Sequence, residues 1–251
     1  MREKNGWNND PERKKRYRGK ILTLFFWLTA GLYVSIPLKE KGIYFSHDFM
    51  FHLNRIYGLA GGLSTQFPVR LQPFWMNDYG YPVSICYGDI LLYIPALFYL
   101  AGVPLRAVYK GYMFFVNVFT AGIADYCFSR ISGDKKTGKI CSFLYTASLW
   151  RLADLYNRSA LGEYSAIAFG PFLALGFWYL FRDQPDHRKG YFCLLAGYTG
   201  LIQTHLVSCV MAGIFTLLIC IAELPKVFDK KVLERKKEKN KWKRNDFEWQ
   251  W

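Results

Sequence analysis

The sequence predicts an all-α fold, a polytopic helical membrane protein of about six transmembrane helices with interfacial helices in a long first external loop. Three observations predict it. Hydrophobic residues make up 52% and aromatic residues 19% of the 251-residue chain, and its formal charge is +14, a combination for which a soluble domain of this size has little use. Two stretches, 21–38 and 164–181, each run 18 residues without a charge, long enough to cross the hydrocarbon core as helices. The Lys and Arg residues cluster between apolar runs, at 13–20, 132–139, 182–189 and 226–244. That placement puts the clusters in the cytoplasm by the positive-inside rule and argues against nucleic acid as the partner of the basic excess.

The elements follow in order. Residues 1–20 form a basic cytoplasmic tail, and a membrane domain occupies 21–224. No small-x-small cleavage site follows the first span, 21–38, so it reads as an uncleaved helix and not as a signal peptide. Cytoplasmic clusters must be separated by an even number of crossings, and three apolar runs, 21–38, 89–103 and 107–128, lie between the first two clusters. The run 89–103 is short, carries Pro95 near its middle and opens at Asp89, so it reads as an interfacial helix within one external loop, 39–106. Spans at 107–128, 140–150 and 164–181 follow, with a second external loop at 151–163. The 34 apolar residues from 191 to 224 exceed a single span, and parity folds them into a hairpin, 191–204 and 206–222, with Gln203 and His205 at its outer tip. Residues 225–251 form a second basic cytoplasmic tail. Six cysteines are scattered through apolar segments and never form CxxC, the pattern of buried thiols and not of a zinc knuckle or a disulfide framework.

This parity gathers the notable polar residues on the outer side. In HDFMFHLNR, 47–55, Asp48, His52 and Arg55 fall at i, i+4 and i+7 and share one helix face. Asp48 suits catalysis or ligand binding and also suits the N-cap of the helix that follows, two roles that can coexist. His47 and His52, five apart, do not share a face and have no third ligand at fixed spacing, so no metal site is assigned to them. Arg55 suits a phosphate or an anionic headgroup by bidentate hydrogen bonding; an ion pair with Asp48, or snorkelling to the interface, accounts for it equally. In the second loop Arg151, Asp154 and Arg158 have helical spacing, and Glu163 opens the next apolar run, where the helix dipole favours an acid. Lys110 and Asp125, near opposite ends of the 107–128 span, can reach the interface. His205 either joins the external site or makes an interfacial hydrogen bond.

The order of a basic tail, one span, an external loop opening on an Asp-centred helix, two crossings and an external Arg-Gly-acid loop resembles the C-type integral-membrane glycosyltransferases (GT-C), which take sugars from polyprenyl-phosphate carriers at the outer face. An acid in the first external loop is central to catalysis in that superfamily, and Asp48 is the matching position. YNRSALGEY, 156–164, resembles the second external loop of oligosaccharyltransferase catalytic subunits, which puts Glu163 in the place of that loop's acid. HDFMFHLNRIYGL, PVRLQPFW, YGYPVSICYGDILLYIPAL, WRLADLYNRSALGEY and GLIQTHLVS are similar to recurrent pieces of bacterial polytopic proteins labelled 6-pyruvoyl-tetrahydropterin synthase-related. No three-histidine zinc site accompanies them, which sets pterin chemistry aside. Oligosaccharyltransferases carry a paired-acid motif where this chain has Glu163 alone, and members of these families are usually longer, so the chain reads as an N-terminal portion.

The resemblance implies a sugar transferase of the bacterial plasma membrane, both termini cytoplasmic. Its partners would be the bilayer, a polyprenyl-phosphate sugar and an acceptor glycan or lipid. Asp48 and Glu163 are its expected catalytic residues, and His52, Arg55, Arg158 and His205 are expected to bind substrate and phosphate. No cofactor is assigned, and a divalent cation is the one candidate. A non-catalytic lipid-binding or lipid-moving protein, and an inactive truncated fragment, are the other two readings of the same sequence.

Overall fold

The computed structural model describes residues 11–40 and 46–228. Among these residues the protein is all-α, with no strand; one isolated antiparallel bridge joins Gln72 to Tyr81. Eleven α-helical segments follow in order: α1 (Pro11–Val34), α2 (Phe49–Gly62), α3 (Val83–Cys86), α4 (Tyr93–Leu100), α5 (Leu105–Ser132), α6 (Lys135–Thr146), α7 (Leu149–Leu152), α8 (Leu161–Ile167), α9 (Gly170–Phe181), α10 (His187–Ile202) and α11 (Leu206–Phe228). Single 3-10 turns occupy Ile36–Lys39 and Ile90–Leu92, and a π-helical turn, Ala153–Arg158, follows α7 directly. The chain divides into two compact units between Ser208 and Cys209. The architecture described below is that of the first.

Local signals set the helix ends. α5 ends where Gly133 takes a left-handed conformation, φ 72°, which a glycine adopts without a Cβ penalty. Asp134 then caps α6 by accepting the Thr137 amide at 2.8 Å, and Asp186 caps α10 by accepting the Lys189 amide at 3.1 Å. Pro171 stands in the first turn of α9, where its missing N–H costs nothing.

Helix α5 is the axis of the unit, with α1, α2, α4, α6 and α9 packed on it and α10 packed on α9. Its first half, through Tyr109, Tyr112, Met113 and Val116, joins Phe49, Ile56 and Leu59 of α2 and Leu155, Leu161 and Tyr164 in one core. Its second half, through Ile123 and Cys127, joins Leu175, Tyr179 and Cys193 in another. A polar clamp ties the same half to α1 and α6: Asp125 accepts from Trp27 Nε1 at 2.8 Å and from Lys139 Nζ at 2.9 Å. Asp125 is therefore buried and paired, whereas Lys110 donates to the Glu40 carbonyl.

Several expected boundaries move. The basic residues from 13 to 20 form the opening turns of α1, while residues 1–10 and 229–251 of the expected tails lie outside the described residues. The expected 140–150 span is instead α6, which begins at Lys135 because Asp134 caps it and ends at Thr146. Among the described residues two stretches are long and apolar enough to cross a membrane, Leu161–Phe181 with mean hydropathy 1.4 and Leu206–Pro225 with 2.3. The first is broken between α8 and α9 and is 44% buried; the second is not buried at all. The other expected spans do not meet that standard among the described residues.

Candidate functional site

Three segments distant in sequence meet at the start of α2. The Asp48 amide donates to the Arg158 carbonyl at 3.0 Å, and the hydroxyls of Ser46 and Ser159 hydrogen-bond beside it. Asp48 occupies the N-cap position of α2 without a side-chain capping bond, so its half-buried carboxylate is not committed to the helix. Ser159 adopts φ 54°, a left-handed conformation that ends the π-helical turn and directs the chain into α8. Strained and π-helical backbone of this kind collects at functional sites.

The π-helical turn organises the acids. Arg158 Nη1 donates to Asp154 Oδ1 at 2.7 Å and to Glu163 Oε2 at 2.9 Å. Trp150 Nε1 donates to the other Glu163 oxygen at 3.1 Å, and the Arg158 guanidinium lies 5.8 Å from the Trp150 ring. The Arg158 side chain is 42% exposed, Glu163 is 21% exposed, and Asp154 is fully buried. Burial, and next the neighbouring Glu163 charge, raise the Asp154 carboxyl to about 6 against the opposing pull of Arg158 and Arg151. Arg158 bridges the two carboxylates, and no group of three or more His, Cys, Asp or Glu side chains that could hold a metal ion is found among the described residues.

The second half of the site is built around Tyr87. Arg55 lies 4.2 Å from the Tyr87 ring centroid, His205 5.7 Å, Phe51 5.9 Å and His52 6.0 Å. The ring rests on Gly162, where an added Cβ would come within 2.5 Å of it. Burial chiefly raises the Tyr87 phenol, and Arg55, Asp48, Glu163 and Arg158 all act on it. His205 is lowered mainly by burial and feels the same four charges, while His52 is lowered well below the ordinary histidine range by burial, then Arg55, then His205. Both imidazoles are therefore neutral near pH 7. His205 Nδ1 accepts from the Ser208 amide at 3.4 Å and His52 Nδ1 from Arg55 Nη1 at 3.4 Å, which leaves Nε2 as the protonated nitrogen of each.

The structure thus brings Asp48, His52, Arg55, Arg158, Glu163 and His205 into one electrostatic neighbourhood, though not in equivalent roles. Arg55 pairs neither with Asp48 nor with the interface. It is 1% exposed and its Nη2 donates to Asp89 and to the Gly88 carbonyl at 2.9 Å. Its guanidinium is thus buried and paired, where the expected role as a phosphate ligand asks for one open to solvent. Arg151 leaves the stripe expected with Asp154 and Arg158 because the π-helical turn breaks the register. It is buried and donates to Asn117 Oδ1 at 3.2 Å and to the carbonyls of Thr146 and Tyr164 at 3.3 Å each.

Tyr87, Asp89, Asp154 and Trp150 are members that sequence reasoning did not assign to the site. Beside Tyr87, where Gly88 packs on Gln203, an apolar groove of about 310 Å³ opens between Ile90, Leu91, Phe169, Phe192 and Leu195 and ends at Gln203 and Thr204. No protein family, curated protein or solved structure matches the chain.

Proposed function

We propose that the protein is a glycosyltransferase-like membrane protein that transfers a sugar from a polyprenyl-phosphate-type lipid to an acceptor at the outer face of the bacterial plasma membrane. One observation carries the reading: three separate segments meet, the Asp48 amide bonding the Arg158 carbonyl, the Arg158 guanidinium holding Glu163, and His205 lying 5.7 Å from the Tyr87 ring that rests on Gly162. The groove ending at Gln203 and Thr204 suits the hydrocarbon part of such a donor, and the charged cluster suits its head. The order of segments shared with GT-C transferases supports the same assignment. An arrangement of about six crossings, termini inside, belongs to this reading, and the exposed Leu24, Phe25, Leu28 and Leu32 of α1 suit a lipid-facing surface.

The chemistry needs a carboxylate to take the acceptor hydroxyl's proton as the anomeric bond forms, and a cation to stabilise the departing phosphate. Asp48 is the base, because it makes no ion pair among the described residues whereas Asp154 and Glu163 both engage Arg158. Arg158, the partly exposed guanidinium, is the phosphate ligand; Glu163 orients it, and His205 donates through Nε2. His52 and Arg55 support the site from beneath through Tyr87. In the full chain reconstituted in vesicles with a polyprenyl-phosphate sugar, Asp48→Asn should abolish donor consumption while leaving the amount of folded protein unchanged; undiminished transfer refutes the assignment.

A second reading, a lipid-binding or lipid-moving protein without catalysis, is favoured by the engagement of both Glu163 and Asp154 by Arg158. Redistribution of chemically unmodified lipid in the same vesicles would select it.

A further inference from the structure

The segment between α2 and α3 is ordered without being helical. Gln72 is fully buried, exchanges both backbone hydrogen bonds with Tyr81 at 3.0 Å, accepts from Trp75 Nε1 at 3.1 Å and donates to Ser84 at 3.0 Å. This knot is seated on α2, where added Cβ atoms at Gly58 and Gly61 would come within 2.5 Å of Gln72 and 2.4 Å of the Phe74 ring. Four non-glycine residues of its tip, Phe74, Met76, Asn77 and Asp78, have φ between 55° and 69°. Each such position costs energy and persists only where the surroundings enforce it.

What the knot accomplishes is outward display of apolar side chains. Phe67 is 81% exposed, Tyr79 88%, Met76 62% and Phe74 53%. The rings continue into α4: Phe67 meets Tyr93 at 5.7 Å, Phe74 meets Tyr57 at 5.3 Å, and Tyr57 meets Tyr99 at 5.9 Å. Leu97, Phe98 and Leu100 of α4 are exposed as well. Between residues 56 and 105 the only charged side chains are Arg70, Asp78 and Asp89, and the last is buried. An ordered surface of phenylalanine, tyrosine and leucine this poor in charge has the composition of the aromatic belt at a bilayer's edge. It is spread over separate protruding rings, Phe67, Phe74 and Tyr79, each more than half exposed. Exposed apolar side chains also mark the end of α1 and the turn after it, at Leu32, Tyr33 and Ile36.

We infer that the aromatic surface formed by the 64–81 segment and α4 seats in the headgroup–hydrocarbon boundary of the bilayer, with the lipid surface itself as its partner. It thereby fixes the depth at which the α2 N-terminus and its charged cluster meet the membrane. The inference rests on the membrane placement proposed above, and the test separates the two.

The full chain is reconstituted in phosphatidylethanolamine–phosphatidylglycerol vesicles containing a phospholipid with a diazirine near its glycerol carbonyls. After illumination, adducts are mapped on the tryptic peptides 56–70, 71–106 and 190–226. Adducts on Phe67, Phe74, Tyr79 and Tyr99, several-fold above those on peptide 152–158, are the expected result. The triple variant Phe67→Ser, Phe74→Ser, Tyr79→Ser should lose most of the loop adducts and keep those on 190–226. Labelling of 190–226 with none on the loop overturns this inference and leaves membrane placement standing. Labelling of neither overturns the placement as well. Oxidation of Met76 by hydroxyl radicals in vesicles as fast as in the denatured chain, or a protein crosslinked to the loop in place of lipid, also overturns it.

Discussion

The Arg55–Asp89 pair offers the sharpest test of how the site is held together. Both side chains are at most 5% exposed, and the pair joins α2 to the turn that carries Tyr87. Asp89→Leu would leave a buried guanidinium with only the Gly88 carbonyl, His52 Nδ1 and the Tyr87 ring to face. Removing one partner of such a pair costs about 3–5 kcal/mol, because the remaining charge stays desolvated, whereas replacing both by apolar side chains is close to neutral. The double variant Arg55→Met, Asp89→Leu should therefore recover most of what Asp89→Leu loses. At about 2–4 °C per kcal/mol for a chain of this size, the single variant should lower the Tm by roughly 10 °C. Thermal unfolding of detergent-solubilised protein, followed across the four members of the double-mutant cycle, gives the coupling directly. If Asp89→Leu shifts the Tm by less than about 2 °C, Arg55 is not a locked structural cation. The phosphate-ligand role is then open to it.

Two further outcomes follow from the same geometry. Asp154, raised from 3.8 to about 6, keeps its proton in the folded chain at pH values where the unfolded chain has lost it, so its stabilisation is full below the lower value and lost as the pH rises through the higher. Two units correspond to ~3 kcal/mol, discounted to ~1–2 kcal/mol because the partly exposed Arg158 leaves the cluster open to solvent screening; Asp154→Asn should flatten the Tm between those pH values and unfold at a higher temperature than the parent at pH 8. Gly162→Ala places a methyl 2.5 Å from a Tyr87 ring hemmed by Arg55, His52, Phe51 and His205, and should cost about 1–3 kcal/mol in thermal unfolding; an unchanged Tm would mean that the ring is free to move.

Much of the helical pattern is legible in the sequence because its signals are local. The start of α2 at Asp48 and the turn at Gln203–His205 both follow from residues within a few positions of each other. The identity of Arg55's partner is not legible, because Asp89 lies 34 residues downstream and only the tertiary fold joins them. Asp89 alone looks like an acid at the head of a short apolar helix, and nothing near it in the sequence points to Arg55. Tyr87 has no signal of its own: one tyrosine among 18 becomes the hub through the ring contacts that surround it. The π-helical turn is equally silent. Periodicity of 3.6 keeps Asp154 and Arg158 together but also keeps Arg151 beside them, and the wider turn sends Arg151 inward.

The division of labour between the two arginines follows from what surrounds each. A guanidinium can take an anionic headgroup only if its hydrogen-bonding edge reaches solvent and its present partners can yield. Arg55 fails on both counts, being 1% exposed and tied to a carboxylate that is itself buried. Arg158 meets the first through its 42% exposed side chain. It meets the second through Asp154, whose carboxyl is raised to about 6 and which can accept a proton as an incoming anion takes its place on the guanidinium. On the proposed reading, headgroup binding at Arg158 and proton uptake at Asp154 are thus one event, and Glu163, held from its other side by Trp150, stays to orient the arginine. Asp48 remains outside that exchange, tied to the arginine only through the Arg158 carbonyl, and so retains its carboxylate for the acceptor.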